Sequence, residues 1–116
     1  MNEVVIYHNP RCSKSRQTLE LLQQRGISPT VVEYLKTPPS AAQMQTILQK
    51  LGMKARHLIR TGETEYRELD LANAAYSEEE LVAILVEHPK LIERPIVVHG
   101  DKAAIGRPPE NVLLIL

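Results

Sequence analysis

The chain has 116 residues, and its 14 Lys+Arg are matched by 14 Asp+Glu, so the formal charge is zero. That balance excludes a general nucleic-acid or anionic-membrane binder, because both depend on excess positive charge. With four tyrosines as its only aromatic residues, the chain also lacks a stacking platform for single strands. Hydrophobic residues at 43% and charged residues at 24% fit a soluble globule, and the length fits a single domain over 1–116.

The opening segment has no basic stretch followed by an apolar one, so it does not read as a secretory signal. No apolar run approaches the length of a membrane span. The lone cysteine, Cys12, rules out an internal disulfide framework and a Cys-based zinc cluster, and it suits a reducing compartment. A cytoplasmic protein, monomeric and without nucleic-acid or membrane partners, is expected.

Val4-Val5-Ile6-Tyr7 is a β-branched run that predicts a buried strand, ended by Asn9-Pro10. Ser15, Thr18, Leu19 and Leu22 then share one face of a helix, with Gly26 as the residue just past its end. Thr30 to Tyr34 reads as a second strand, and this β-loop-α-β order implies a parallel pair with a right-handed crossover. Thr37-Pro38-Pro39 is a stop. Ser40 and Gln43 form a capping box before a helix with Met44, Ile47, Leu48 and Leu51 inward.

Residues 53 to 76 are less regular and read as short helical turns. Ser77 and Glu80 form a second capping box, opening a helix with Leu81, Ile84 and Leu85 inward and Pro89 beyond its end. Ile96-Val97-Val98 and Ala103-Ala104-Ile105, separated by His99-Gly100-Asp101-Lys102, form a hairpin. Pro108-Pro109 starts a final short helix with its body at Asn111 to Leu116.

This order predicts an α/β protein of thioredoxin-like architecture. It has a four-stranded mixed sheet flanked by helices, with a helical insertion between the second strand and the C-terminal hairpin. Flavodoxin-like folds are the competitor, but they need more parallel strands than this chain supplies.

Cys12 falls between the first strand and the first helix, in His8-Asn9-Pro10-Arg11-Cys12-Ser13-Lys14-Ser15-Arg16. Free backbone N–H groups gather at a helix start, and His8, Arg11, Lys14 and Arg16 are close in sequence, so all of these features favour a thiolate. The plain alternative is a buried, inert cysteine; the polar, basic flanks argue against it. Lowering a thiol pKa from about 8.5 to about 6 raises the thiolate fraction at pH 7 about 30-fold, but the accompanying loss of nucleophilicity is about 10–18-fold. The net gain is only a few-fold. Basic residues therefore matter more if they bind an anionic substrate beside the sulfur.

His8-Asn9-Pro10-x-Cys12-x-x-Ser15-Arg16 resembles the ArsC family of glutaredoxin- or glutathione-linked arsenate reductases. The resemblance continues at Leu58-Ile59-Arg60-Thr61, Ile92-Glu93-Arg94-Pro95-Ile96 and Gly106-Arg107-Pro108, and so spans essentially the whole chain. Where the family's best-known loop follows the cysteine with Gly-Thr, this chain has Ser13-Lys14. The resemblance implies that Cys12 attacks arsenate, that Arg60, Arg94 and Arg107 form the oxyanion site, and that His8 is the histidine near the cysteine. Ser15, Arg16 and Pro95 are supporting residues, and Pro95 is implied to be a cis proline facing the cysteine. Without the family, Arg60 and Arg107 would read as solvated charges in turns, and Arg94 as a residue held extended by the proline after it.

The activity implied is reduction of arsenate to arsenite. With no second cysteine, glutathione resolves the adduct as co-substrate and glutaredoxin recycles the enzyme; no bound cofactor is expected. Two alternatives share the fold: a single-cysteine thiol reductase of another substrate, and an Spx-like regulatory interaction module. A phosphatase loop is excluded, because it needs Cys-x5-Arg and Arg16 comes too early. His57, His88 and His99 are isolated and read as surface or structural residues, so no metal site is expected.

Overall fold

The computed structural model describes residues 3–73 and 75–116. Met1 and Asn2, at the segment read for a signal, and Ala74, within the irregular stretch, lie outside them. The chain divides into two compact units, Met1–Thr37 with Arg94–Leu116, and Pro38–Glu93.

The first unit is built on a four-stranded sheet of β1 (Val4–His8), β2 (Thr30–Glu33), β3 (Ile96–His99) and β4 (Lys102–Ile105), in the order β2-β1-β3-β4. β1 pairs parallel with β2 and antiparallel with β3, and β3 pairs antiparallel with β4, which makes the sheet mixed. The two-residue connection Gly100-Asp101 closes the hairpin, with Gly100 at φ +64°, a left-handed backbone that glycine adopts without steric cost.

Ile6, Val97 and Ala104 stand opposite one another across the central strands. Strand periodicity therefore puts them on one face, where Ile6 and Val97 join Leu22 and Val112 in a buried core. Leu22 comes from α1 (Ser13–Gln24), whose buried residues Ser15, Thr18 and Leu22 follow the predicted helical spacing. α1 ends in a Schellman motif: the N–H of Gly26 donates to Gln23 and that of Ile27 to Leu22, each at 3.0 Å, with Gly26 at φ +76°. Val112 comes from the C-terminal segment, which starts at the predicted prolines but is a 3₁₀ helix, over Pro109–Ile115, and so winds tighter than an α-helix. Pro108 takes the position before it, and the following proline supplies the fixed φ of a first helical residue.

The second unit contains α2 (Ala41–Leu51), α3 (Ala55–Leu58), α4 (Thr64–Glu68) and α5 (Glu78–Glu87), with a 3₁₀ turn at Pro89–Leu91. Both predicted capping boxes are present, with Ser40 and Gln43 on α2 and Ser77 and Glu80 on α5 bonding reciprocally. α5 packs against α2 and α3. Its buried residues are Leu81, Val82 and Leu85, so Val82 replaces the predicted Ile84, which is half-buried. The difference is a rotation of about one position, since 82 and 84 flank the same helical stripe. The Glu78 carboxylate accepts the Ala55 N–H at 2.9 Å and so caps α3 from another element. No helix among the described residues is long and apolar enough to cross a membrane.

Candidate active site

Sheet register brings three sequence-distant segments to one end of the first unit. β1 runs toward the Cys12 loop. Tyr7, near its end, pairs with Ile96 at the start of β3, and Ile96 pairs with Ile105 at the end of β4. Arg94-Pro95, just before β3, and Gly106-Arg107, just after β4, therefore emerge beside the loop that follows β1. The Arg94–Pro95 peptide is cis, as the resemblance implied for Pro95; Arg107–Pro108 is also cis.

The loop is shaped by its own side chains. The Asn9 Oδ1 accepts the Arg11 N–H at 3.0 Å, an Asx turn, and the Asn9 carbonyl accepts the Cys12 N–H at 3.0 Å. Cys12 is the N-cap of α1, with extended backbone, and its thiol is half-buried. The Arg107 Nη2 donates to the Cys12 Sγ at 3.4 Å, while its Nε donates to the Arg94 carbonyl at 2.7 Å. One guanidinium thus ties the sulfur to the segment before β3.

Burial pushes the Cys12 thiol pKa up, but the Ser15 N–H, the Arg94 guanidinium, the Lys14 N–H and the charge of Arg107 together hold it below its ordinary value. The backbone N–H groups are those the sequence expected at the helix start, whereas the nearby charges it also named, His8, Arg11, Lys14 and Arg16, are not among the causes. Arg11 and Arg16 are exposed and are not among the groups that stabilise the thiolate, and Lys14 acts through its backbone N–H. The Arg16 Nη1 donates to the Pro10 carbonyl at 2.9 Å, within the loop. Nearness along the chain is no measure of where a long side chain ends.

His8 is buried at the end of β1, and its Nδ1 lies 2.6 Å from the Ser15 Oγ. Burial lowers its pKa; Glu33, its partner across β2, opposes that, and Arg16 adds to the lowering. The Ser15 Oγ also accepts the Asn9 N–H at 3.0 Å. His8 is therefore joined to the sulfur's surroundings through Ser15, whose side chain meets the imidazole and whose N–H faces the sulfur.

Arg60 belongs to the second unit, in the turn after α3. Its Nη1 lies 3.6 Å from Glu93 and its Nε 3.9 Å from Glu63, and its N–H donates to the Leu91 carbonyl at 2.7 Å. Of the other histidines, His57 is exposed, His88 is half-buried, and the His99 Nδ1 lies 2.6 Å from the Ile115 carbonyl.

Two residues that shape the site were not picked out from sequence. Asn9 reads there as a strand breaker and a letter of the family motif, with no role of its own, although an Asn two residues before a free N–H is the signal of an Asx turn. Thr18 reads as a core position, yet its hydroxyl donates to the Lys14 carbonyl at 2.8 Å.

The family model for the ArsC family matches residues 7–115, a span that contains every element of this site. The chain belongs to the ArsC family. It is 56% identical over 115 residues to the uncharacterized protein YfgD of Escherichia coli (strain K12), covering 98% of this chain and 97% of that one. It is 52% identical over 114 residues to an arsenate reductase of Haemophilus influenzae, covering 97% and 98% of the two chains. A solved arsenate reductase structure from Vibrio cholerae superposes with a TM-score of 0.96 at 52% identity, covering 99% of this chain and 98% of that one. The thioredoxin-like fold expected from the order of elements is that of these ArsC-family structures.

Proposed function

We propose that this ArsC-family protein reduces arsenate to arsenite at Cys12, with glutathione as co-substrate and glutaredoxin as recycling partner. The observation that carries the reading is the pair of guanidiniums, Arg94 and Arg107, directed at one half-buried sulfur. A thiolate approaching a doubly charged oxyanion meets like-charge repulsion. Guanidiniums relieve it and also suit the oxyanion's oxygens, which accept paired N–H bonds. Relatives named arsenate reductase, similar over nearly the whole chain, support the same substrate.

The reaction runs in three steps. The Cys12 thiolate attacks arsenic, an S–As bond forms, and one arsenate oxygen leaves as water with two protons. A glutathione sulfur then attacks the Cys12 sulfur, so that an S–S bond forms while the S–As electron pair passes to arsenic. Arsenic(V) becomes arsenic(III), arsenite departs, and the two thiols have become a mixed disulfide. Glutaredoxin, drawing on a second glutathione, returns Cys12 to the thiol. An external thiol is required because Cys12 is the only cysteine of the chain, and Ser15 stands where Cys-x-x-Cys proteins carry their second one.

In this reading Arg94 and Arg107 hold the oxyanion, and Arg60 is the third guanidinium that the family resemblance assigns to it. His8 and Ser15 hold the loop and the local charge balance, while Arg16 and Pro95 support the loop and the Arg94 segment. The protein is proposed to act as a monomer in the cytoplasm. The test is arsenite formation from arsenate with glutathione and glutaredoxin, compared with Cys12→Ser. Turnover above that variant supports the proposal, and a rate equal to it refutes it.

A further inference from the structure

Gly106 is buried where three segments of the first unit meet. Its N–H donates to the Pro95 carbonyl at 2.9 Å, and its carbonyl lies 3.5 Å from the Thr18 Oγ1. A Cβ at this position would stand 2.8 Å from the Pro95 Cγ and 3.1 Å from the Thr18 Cγ2, and nearer still to the Thr18 Oγ1. Close-packed atoms do not accept such an approach without moving. Gly106 does not have a positive φ, so the demand is for space and not for an unusual backbone.

Each neighbour in this contact is tied to a group at the sulfur. Pro95 follows Arg94, and Gly106 precedes Arg107. The Thr18 hydroxyl is bonded to Lys14, whose N–H faces Cys12. Arg107 has little slack of its own. Its N–H donates to the Ile105 carbonyl at 2.9 Å, and its carbonyl accepts from the Asn111 Nδ2 at 3.0 Å.

We propose that Gly106 is a positioning residue whose bare Cα, seated against Thr18 and Pro95, sets how closely the Arg107 guanidinium approaches the Cys12 sulfur. An added carbon forces Thr18 or Pro95 away or shifts residue 106 itself, and that last shift is passed directly to Arg107. The inference takes Cys12 as the reacting group of the proposed function, but its test uses no arsenate. A chain that failed to reduce arsenate would leave it intact.

The pH dependence of Cys12 alkylation by iodoacetamide, in the full chain, reads the thiolate. Gly106→Ala should move the profile to higher pH and slow alkylation below the wild-type midpoint by about threefold or more, which corresponds to about half a pKa unit. Gly106→Ala combined with Thr18→Ala, which empties the space on the helix side, should regain at least half of that loss. Thr18→Ile, with Gly106 intact, enlarges the side chain against it and should shift the profile in the same direction as Gly106→Ala. An unchanged profile in a folded Gly106→Ala variant, or no recovery in the double variant, would overturn the proposal. If Gly106→Ala does not fold, the Thr18→Ile profile decides, and an unchanged one overturns it.

Discussion

The Arg107 Nη2 stands 3.4 Å from the Cys12 Sγ although the two residues are 95 positions apart in the chain. The contact depends on β3 lying between β1 and β4, so that the end of β4 returns to the loop after β1. A guanidinium at that distance acts on the sulfur both as a donor and as a charge.

Replacing it with a more flexible cation should show which property matters. Arg107→Lys keeps the charge but loses the planar fork that binds the Arg94 carbonyl and the sulfur together. Its alkylation profile should move to higher pH than wild type, and its KM for arsenate should rise about tenfold or more, as loss of a charged hydrogen bond implies. Steady-state kinetics and iodoacetamide titration check the two effects separately. Arg60→Ala, in contrast, should raise the arsenate KM and leave the alkylation profile of Cys12 where it is.

The lowered thiol pKa links Cys12 to stability. The folded state favours the thiolate, so its contribution is fully present above the unfolded thiol value of about 8.5 and is lost as pH falls through the lower folded value. The stability of wild type relative to Cys12→Ser should therefore grow as pH rises from that folded value to about 8.5, then level off. Urea denaturation at a series of pH values measures the difference; a flat difference would contradict a stabilised thiolate.

His8 titrates with the same sign. Its pKa is lowered chiefly by burial, so stability is complete above the unfolded value of about 6.5 and declines as pH falls below it toward the folded value. His8→Gln should remove that part of the acid sensitivity, visible as a shallower fall of Tm between neutral and mildly acid pH.

Ser15 is fully buried and serves two partners, the Asn9 N–H at 3.0 Å and the His8 Nδ1 at 2.6 Å. Ser15→Ala leaves both without it, and an unsatisfied buried polar group costs about 1–3 kcal/mol. Chemical denaturation should show a loss in that range. Ser40→Ala, which removes one capping box from α2, should cost about 1 kcal/mol in the same measurement.

Much of the architecture was legible in the residues because its causes are local. Ser40 with Gln43, Ser77 with Glu80, and Gly26 after Leu22 mark helix ends within a few positions, and Val4 to Tyr7 and the Gly100-Asp101 hairpin declare strands through β-branching and turn chemistry. The facing of α5 was less secure, since Val82 and Ile84 are both apolar and only packing against α2 and α3 chooses between them. The 3₁₀ winding of Pro109–Ile115 was equally beyond periodicity, because a segment this short shows too few turns to separate one helix type from another.

The sequence by itself singled out Cys12, the strand-to-helix loop that bears it, and the family whose motifs surround it, for all of these rest on contiguous residues. Only the tertiary structure decided that the cations beside Cys12 in sequence do not stabilise its thiolate, while two of the arginines that the resemblance assigned to the oxyanion do. Arg11 and Arg16, its near neighbours, face away to solvent and to the Pro10 carbonyl, while Arg94 and Arg107 arrive from distant strands. The physical reason is that electrostatic action falls with distance in space, and that distance is set by strand order, register and the room left at Gly106.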